Sequence, residues 1–87
     1  MRAIILSAGQ GSRLLPLTAE RPKCLIEFSG RTLLDWQIDA LAANGVREIV
    51  VVVGFQAAKV EEHLARRNDR DLKITTLFNP FFQVADN

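Results

Sequence analysis

The sequence predicts an α/β fold built on a parallel sheet. Two short, unbroken apolar runs, Ala3-Ile4-Ile5-Leu6 and Ile49-Val50-Val51-Val52-Val53, each stop close to glycine, as strands buried in a parallel sheet do. An amphipathic helical repeat lies between them and another follows the second run. A third, alternating run then gives the order βαβαβ.

The first strand, Ala3 to Leu6, carries no polar residue and is expected to be covered on both faces. Thr32-Leu33-Leu34-Asp35 has the form of a helix-capping box, and Leu34, Ile38, Leu41 and Ala42 recur at helical spacing until Asn44-Gly45 supplies a stop. A helix over about 32–44 follows, with Trp36 assigned to its core-facing side. The run Ile49–Val53 is β-branched throughout, so it is read as a more central strand than the first. Ala57, Val60 and Leu64 give the next helix one narrow apolar face and leave Lys59, Glu61, Glu62, His63, Arg66 and Arg67 to solvent. Leu72, Ile74 and Thr76 alternate with Lys73, Thr75 and Leu77, which marks a half-exposed edge strand. Right-handed crossovers then bring the loops after Leu6, Val53 and Phe78 to one rim. The expected architecture is a Rossmann-like three-layer parallel sheet, of which this chain forms the first βαβαβ half. The aromatic run Phe81-Phe82 near the end suggests a truncated domain, with residues 1–87 the N-terminal part of a single unit.

A chain of 87 residues with 48% hydrophobic and 24% charged residues fits one small globular domain. A single cysteine, Cys24, excludes an internal disulfide and any multi-cysteine metal site, and its apolar neighbourhood points to a buried thiol. The longest apolar run is far too short to span a bilayer, so the expected location is the cytoplasm with no membrane partner. A net charge of +1 argues against a nucleic-acid surface. That charge is uneven, however: Arg2, Arg13, Arg21, Lys23 and Arg31 face only Glu20 and Glu27 in the first 31 residues. A local excess of this kind focuses a small polyanion into a cleft.

Leu6-Ser7-Ala8-Gly9-Gln10-Gly11-Ser12-Arg13 carries the phosphate chemistry. Gly9 and Gly11 directly follow the first strand, where the missing side chains let backbone N–H groups approach a phosphate. Arg13 can add charge-assisted bonds to oxygens that those amides position. A dinucleotide fingerprint would need a third glycine where Leu14 stands and an acidic residue closing the second strand, which ends Val53-Gly54. A P-loop would need a Gly-Lys pair, and the sequence has none. In Arg21-Pro22-Lys23-Cys24, Pro22 and the earlier Pro16 stiffen the segment, so that Lys23 is held where it can meet charge developing on a phosphate. His63 has no second metal-type ligand beside it in sequence and is read as solvated; Glu61 and Glu62 are adjacent and point apart.

The run Leu6-Ser-Ala-Gly-Gln-Gly-Ser-Arg13-Leu-Leu-Pro16-Leu-Thr18, followed by Pro22-Lys23, resembles the N-terminal signature of nucleotidyltransferases that include sugar-1-phosphate nucleotidylyltransferases and phosphocholine cytidylyltransferases. The likeness continues through Gly30-Arg-Thr-Leu-Leu, Ala43-Asn-Gly45-Val, Gly54-Phe55 and Asn79-Pro80. It implies transfer of a nucleotidyl group from CTP, UTP, dTTP or GTP to a phosphorylated small molecule, with release of pyrophosphate. It also implies nucleotide contacts from Leu6, Ala8, Gly9, Gln10, Gly11 and Ser12, catalytic roles for Arg13 and Lys23, and a base contact from Asn79. Asn79-Pro80-Phe81-Phe82 looks more like the phosphocholine branch than the hexose branch. Mg²⁺ is the implied cofactor, but relatives hold it with an aspartate after a further strand; Asp86 lies too early, so no metal ligand is assigned and the chain alone is expected to be inactive. The alternatives are a non-catalytic nucleotide-binding or assembly module and a scaffold that forms homo-oligomers through its open sheet edge and Phe81-Phe82.

Overall fold

A computed structural model describes residues 1–7 and 22–80. Residues 8–21 and 81–87 lie outside that description, and with them the expectations placed on Ala8, Gly9, Gln10, Gly11, Ser12, Arg13 and Phe81-Phe82. The elements are β1 (Arg2–Leu6), a 3-10 turn (Lys23–Leu25), β2 (Glu27–Phe28), β3 (Arg31–Thr32), α1 (Leu33–Ala43), β4 (Glu48–Val53), α2 (Ala57–Ala65) and β5 (Lys73–Phe78). β1, β4 and β5 form a parallel sheet in the order β1-β4-β5, with Leu6 opposite Val52 and Val52 opposite Leu77. β4 is therefore central and β5 an edge, as the apolar patterns predict.

Helix α1 begins and ends where its local sequence dictates. The Thr32 hydroxyl accepts the Asp35 backbone N–H at 3.1 Å, satisfying one of the donors that a helix start leaves without an intrahelical partner. At the other end Gly45 takes φ +88, so Gly45 N–H reaches Ala42 O and Val46 N–H reaches Leu41 O, both at 3.1 Å. This pair of bonds is a Schellman closure, and Val46, buried at 4% exposure, supplies its apolar contact. β2 and β3 form a small antiparallel hairpin that sequence reading missed. Its signal was the dipeptide Ser29-Gly30, whose φ values of 51 and 80 fit the two left-handed positions of a tight hairpin turn.

The core lies on one side of the sheet. Ile5, Ile49, Val51 and Val53 point toward Leu34 and Ile38 of α1 and Val60 of α2, and all but Ile5 are fully buried. Each such side chain contributes roughly 1.5–3 kcal/mol by leaving water. The opposite face corrects the expectation for β1. Strand side chains alternate, and among the described residues both helices pack on the same face, so Ile4 stays 63% and Leu6 81% exposed. Across that open face the register sets three rows: charged Arg2, Glu48 and Lys73; then Ile4, Val50 and Thr75; then Leu6, Val52 and Leu77.

Three further expectations give way to tertiary contacts. Trp36 is not in the core: it stacks on Phe28 at 6.1 Å, donates its indole N–H to Phe28 O at 3.0 Å and lies under Arg31. The hairpin supplies this partner, and its place beside α1 was invisible to helical spacing. His63 is not simply solvated, because its Nε2 sits 3.0 Å from both oxygens of Asp35 and 3.4 Å from the Thr32 hydroxyl. Nor is Arg67 left to solvent. It bonds Asp35 at 2.7 Å, Asp39 at 2.8 Å and both oxygens of Asp69, tying α1 to the chain that leads into β5. Partial burial works to raise the Asp35 pKa, but hydrogen bonds from His63, Arg67 and Thr32 outweigh it and hold the carboxyl below its usual range.

A carboxylate whose pKa is depressed on folding stabilises the fold fully above its unfolded value, about 3.9, and loses that contribution as pH falls through the folded value. Urea unfolding at pH 7 and pH 3 should therefore show the wild type losing stability toward acid. Asp35→Asn should cost about 1–3 kcal/mol at pH 7, between exposed and buried ion pairs, and flatten the acid slope. Identical slopes in the two proteins would remove Asp35 from the acid response.

Candidate functional site

Parallel strands end together, and the register brings the C-terminal ends of β1, β4 and β5 to one rim. The last carbonyls of β4 hold that rim. Ser7 directs both its backbone N–H, at 3.0 Å, and its hydroxyl, at 2.8 Å, to Val52 O. On the other side Asn79 N–H donates to Val53 O at 2.7 Å. Ser7 and Asn79 therefore leave the sheet from either side of one strand end.

Lys23 is positioned through its neighbours. Pro22 is fully buried and Cys24 is 5% exposed, whereas Lys23 between them is exposed. The turn is closed by Leu25 N–H to Pro22 O at 3.0 Å and Ile26 N–H to Lys23 O at 3.1 Å. Leu33 N–H then bonds Ile26 O, coupling the turn to the start of α1. Cys24 belongs to the buried core cluster that also holds Ile5 of β1 and Val53 of β4. Burial pushes the Cys24 thiol up to about 11, against the opposing pull of Ser7 and of its own backbone. It is thus a neutral packing group, as expected, and a poor nucleophile.

The local excess of positive charge resolves into separate fates. Arg2 bonds Glu48 at 2.8 Å at the opposite end of the sheet, and Arg31 pairs with Asp39 beside the hairpin. Among the described residues the Lys23 ammonium has no carboxylate partner. Among the described residues it is an exposed cation with charge left to offer a ligand.

Leu6 contributes the end of its backbone to the site, since its side chain projects from the open face. The loop after β4 adds a position that sequence reading did not single out. Gln56 adopts φ 55, which is uncommon for a residue with a side chain, and its carbonyl accepts Lys59 N–H at 3.0 Å to start α2. The only sequence signal was its place two residues after Gly54. Another surface feature, a shallow groove lined by Glu61, Leu64, Ile74 and Thr76, runs along the outside of α2 and β5 and takes no part in the rim. Among the described residues no group of three His, Cys, Asp or Glu could hold a metal ion, and no helix is long and apolar enough to cross a membrane.

Residues 2–83 match the family model described as nucleotidyl transferase. The chain belongs to the nucleotidyl transferase family. It is 51% identical over 92 residues to a CTP:phosphoglutamine cytidylyltransferase of Campylobacter jejuni, a match that covers 99% of this chain and 36% of that relative. The chain thus spans about a third of the length of this curated relative. Among solved structures, the UDP-glucose pyrophosphorylase from Acinetobacter baumanii superposes with a TM-score of 0.79 at 16% identity, covering 91% of this chain and 35% of that one. CTP:phosphocholine cytidylyltransferase from Streptococcus pneumoniae superposes with a TM-score of 0.68 at 32% identity, covering 93% and 33%. The Rossmann-like α/β fold of the nucleotidyl transferases, read from the apolar runs, is the fold of this chain.

The buried thiol gives a direct check on this packing. With a pKa near 11, about one Cys24 thiol in a thousand is ionised at pH 8, whereas an unperturbed thiol is about one-quarter ionised. An aromatic disulfide reagent should therefore label the folded protein at least about 100-fold more slowly than the urea-unfolded protein. Equal rates would show that Cys24 is not buried in the folded protein.

Proposed function

We propose that this protein is the N-terminal part of a cytidylyltransferase that moves CMP from CTP to a phosphorylated, non-sugar small molecule of the phosphoglutamine or phosphocholine type. An acceptor phosphate oxygen attacks the α-phosphorus of CTP, a new P–O bond forms, and the bond to the β-phosphate breaks so that pyrophosphate leaves with the electron pair. The observation that carries this reading is Lys23, an exposed cation without a carboxylate partner among the described residues, set between buried Pro22 and core residue Cys24 and following the Gly9-to-Arg13 run in sequence. The choice of cytosine and of a non-sugar acceptor draws on the 51% identity to the phosphoglutamine enzyme, supported by the likeness to the phosphocholine enzyme.

In this scheme the backbone of Leu6, Ala8, Gly9, Gln10, Gly11 and Ser12 receives the nucleotide, because amides freed by glycine can approach phosphate closely. Arg13 takes the leaving pyrophosphate with its planar fork, and Lys23 meets the charge that develops as the acceptor attacks. Asn79, tied to the end of β4, offers an amide that can pair with a base edge. Mg²⁺ would arrive with the triphosphate and offset its charge. The described residues Ser7, Lys23 and Asn79 include no carboxylate, so they do not form its ligand set.

Calorimetric titration with CTP, UTP, GTP and dTTP in Mg²⁺ should show CTP binding tightest, and a protein extended past Asn87 to the length of its relatives should release pyrophosphate from CTP with phosphoglutamine or phosphocholine. In that extended protein Lys23→Met should retain the fold and lower kcat by about 100-fold or more, the scale of losing one stabilising group in a transition state. Tighter binding of another triphosphate would move the assignment to a different base. Full turnover by Lys23→Met would remove the lysine from the chemistry.

A further inference from the structure

Among the described residues the outer edge of β5 is open, and its pairing with β4 fixes which groups it presents. Lys73 N–H donates to Arg47 O at 2.8 Å and Asn79 N–H to Val53 O at 2.7 Å. Successive residues of a strand turn their N–H and C=O to opposite sides, so Lys73, Thr75 and Leu77 face β4. Ile74, Thr76 and Phe78 therefore aim both backbone groups outward. Edge strands are commonly guarded by charge or proline, yet after Lys73 this one reads Ile-Thr-Thr-Leu-Phe.

The edge also borders a groove. Ile74, Thr76 and Phe78 stand opposite Ile49, Val51 and Val53, which are buried beneath the helices, so their side chains lie on the helix side. There Ile74, Thr75 and Thr76 meet Glu61, Leu64 and Ala65 of α2 around a volume of about 410 Å³. Half-buried Leu64 and Ile74 give the groove an apolar base. Glu61 accepts the Thr76 hydroxyl at 3.3 Å and, among the described residues, pairs with no cation. The groove is thus apolar with one uncompensated negative charge beside the middle of the open edge.

We propose that the edge of β5 and the flank of α2 form a docking site for an extended protein segment, in which a basic residue has an apolar residue two positions away on each side. The segment adds to the sheet as an antiparallel strand. Its basic residue lies opposite Thr76, and its apolar residues lie opposite Ile74 and Phe78. Directly opposed residues share a face with Cβ atoms about 4.5–5.5 Å apart, so the basic side chain enters the groove beside Glu61. The same segment residues return the backbone bonds that Ile74, Thr76 and Phe78 leave open. A second copy of β5 is a poorer occupant. In this register Thr76 would oppose its own counterpart and bring two Glu61 carboxylates together, where like charges repel. The site lies away from the rim and is independent of nucleotidyl transfer.

The probe is acetyl-Ser-Val-Thr-Lys-Thr-Val-Ser-amide, titrated into the purified protein and followed by amide NMR. A Kd on the order of 100 µM is expected, in keeping with a small interface that has few anchors. At saturation, hydrogen exchange at Ile74, Thr76 and Phe78 should slow by about 10-fold or more, with Thr75 and Leu77, already bonded to β4, unchanged. N-methylation of the probe's lysine and valines removes the donors that face β5 and should weaken binding at least about 30-fold, whereas N-methylation of its threonines should change it less than about 3-fold. Replacing the probe's lysine by glutamate should weaken binding at least about 10-fold, and Glu61→Lys, at an exposed position that leaves the fold intact, should reverse that preference. Absence of exchange protection with probe about 10-fold above the expected Kd overturns the docking site. Equal loss from the two methylation patterns overturns strand addition, and equal affinity for the lysine and glutamate probes overturns a basic partner. A protein that sediments as a dimer, with these amides protected before any probe is added, has a second copy on the edge and also overturns the proposal.

Discussion

The backbone of β4 is the constraint on which the rest of the structure depends. It is paired on both edges, so β1 and β5 take their register from it, and its inward residues Ile49, Val51 and Val53 are fully buried beneath both helices. Its last two carbonyls then reach beyond the sheet: Val52 O receives Ser7 and Val53 O receives Asn79. A single strand end thus sets where the loops after β1 and β5 depart. This is why a stretch of five β-branched residues with no reactive group governs the geometry of the site.

Charge is distributed to suit that arrangement. Arg2 and Lys73 flank Glu48 at the N-terminal end of the sheet, while Arg67, Asp35, Asp39, Asp69 and His63 lock α1 to α2 and to the chain leading into β5. These cations are engaged in holding elements together. Lys23 is held in place by its uncharged neighbours, Pro22 and Cys24, and so keeps its own charge available. The proposed transfer would draw on this separation, since catalysis of phosphoryl transfer is mostly positioning and electrostatic stabilisation of developing charge.

Much of the fold was legible in local sequence because the signals were local. Thr32 and Asp35 stand three apart and announce the start of α1; Asn44-Gly45 announces its end through a backbone conformation that glycine adopts without penalty. The unbroken Ile49–Val53 run announced the central strand. The failures were equally specific. Helical spacing says which residues share a face but not what that face meets, so Trp36 was assigned to a core when the β2–β3 hairpin gave it Phe28 and Arg31 instead. His63 and Arg67 looked solvent-facing beside their charged neighbours, and their partners on α1 lie about 30 residues away. For β1, an all-apolar strand suggested cover on both faces, but composition does not say on which side the helices will pack.

By itself, the sequence determined the order of the main elements, the parallel character of the sheet and the family to which the chain belongs. These depend on residue types within a few positions of one another, where backbone preference and side-chain periodicity act directly. Among the described residues, tertiary structure decided which positive charges were left for a ligand and how Lys23 is held between buried neighbours. Those outcomes depend on contacts between residues far apart in the chain, such as Arg2 with Glu48 and Arg31 with Asp39, and on the seating of Cys24 in the core beside Ile5 and Leu34. Such contacts exist only once packing has brought their elements together.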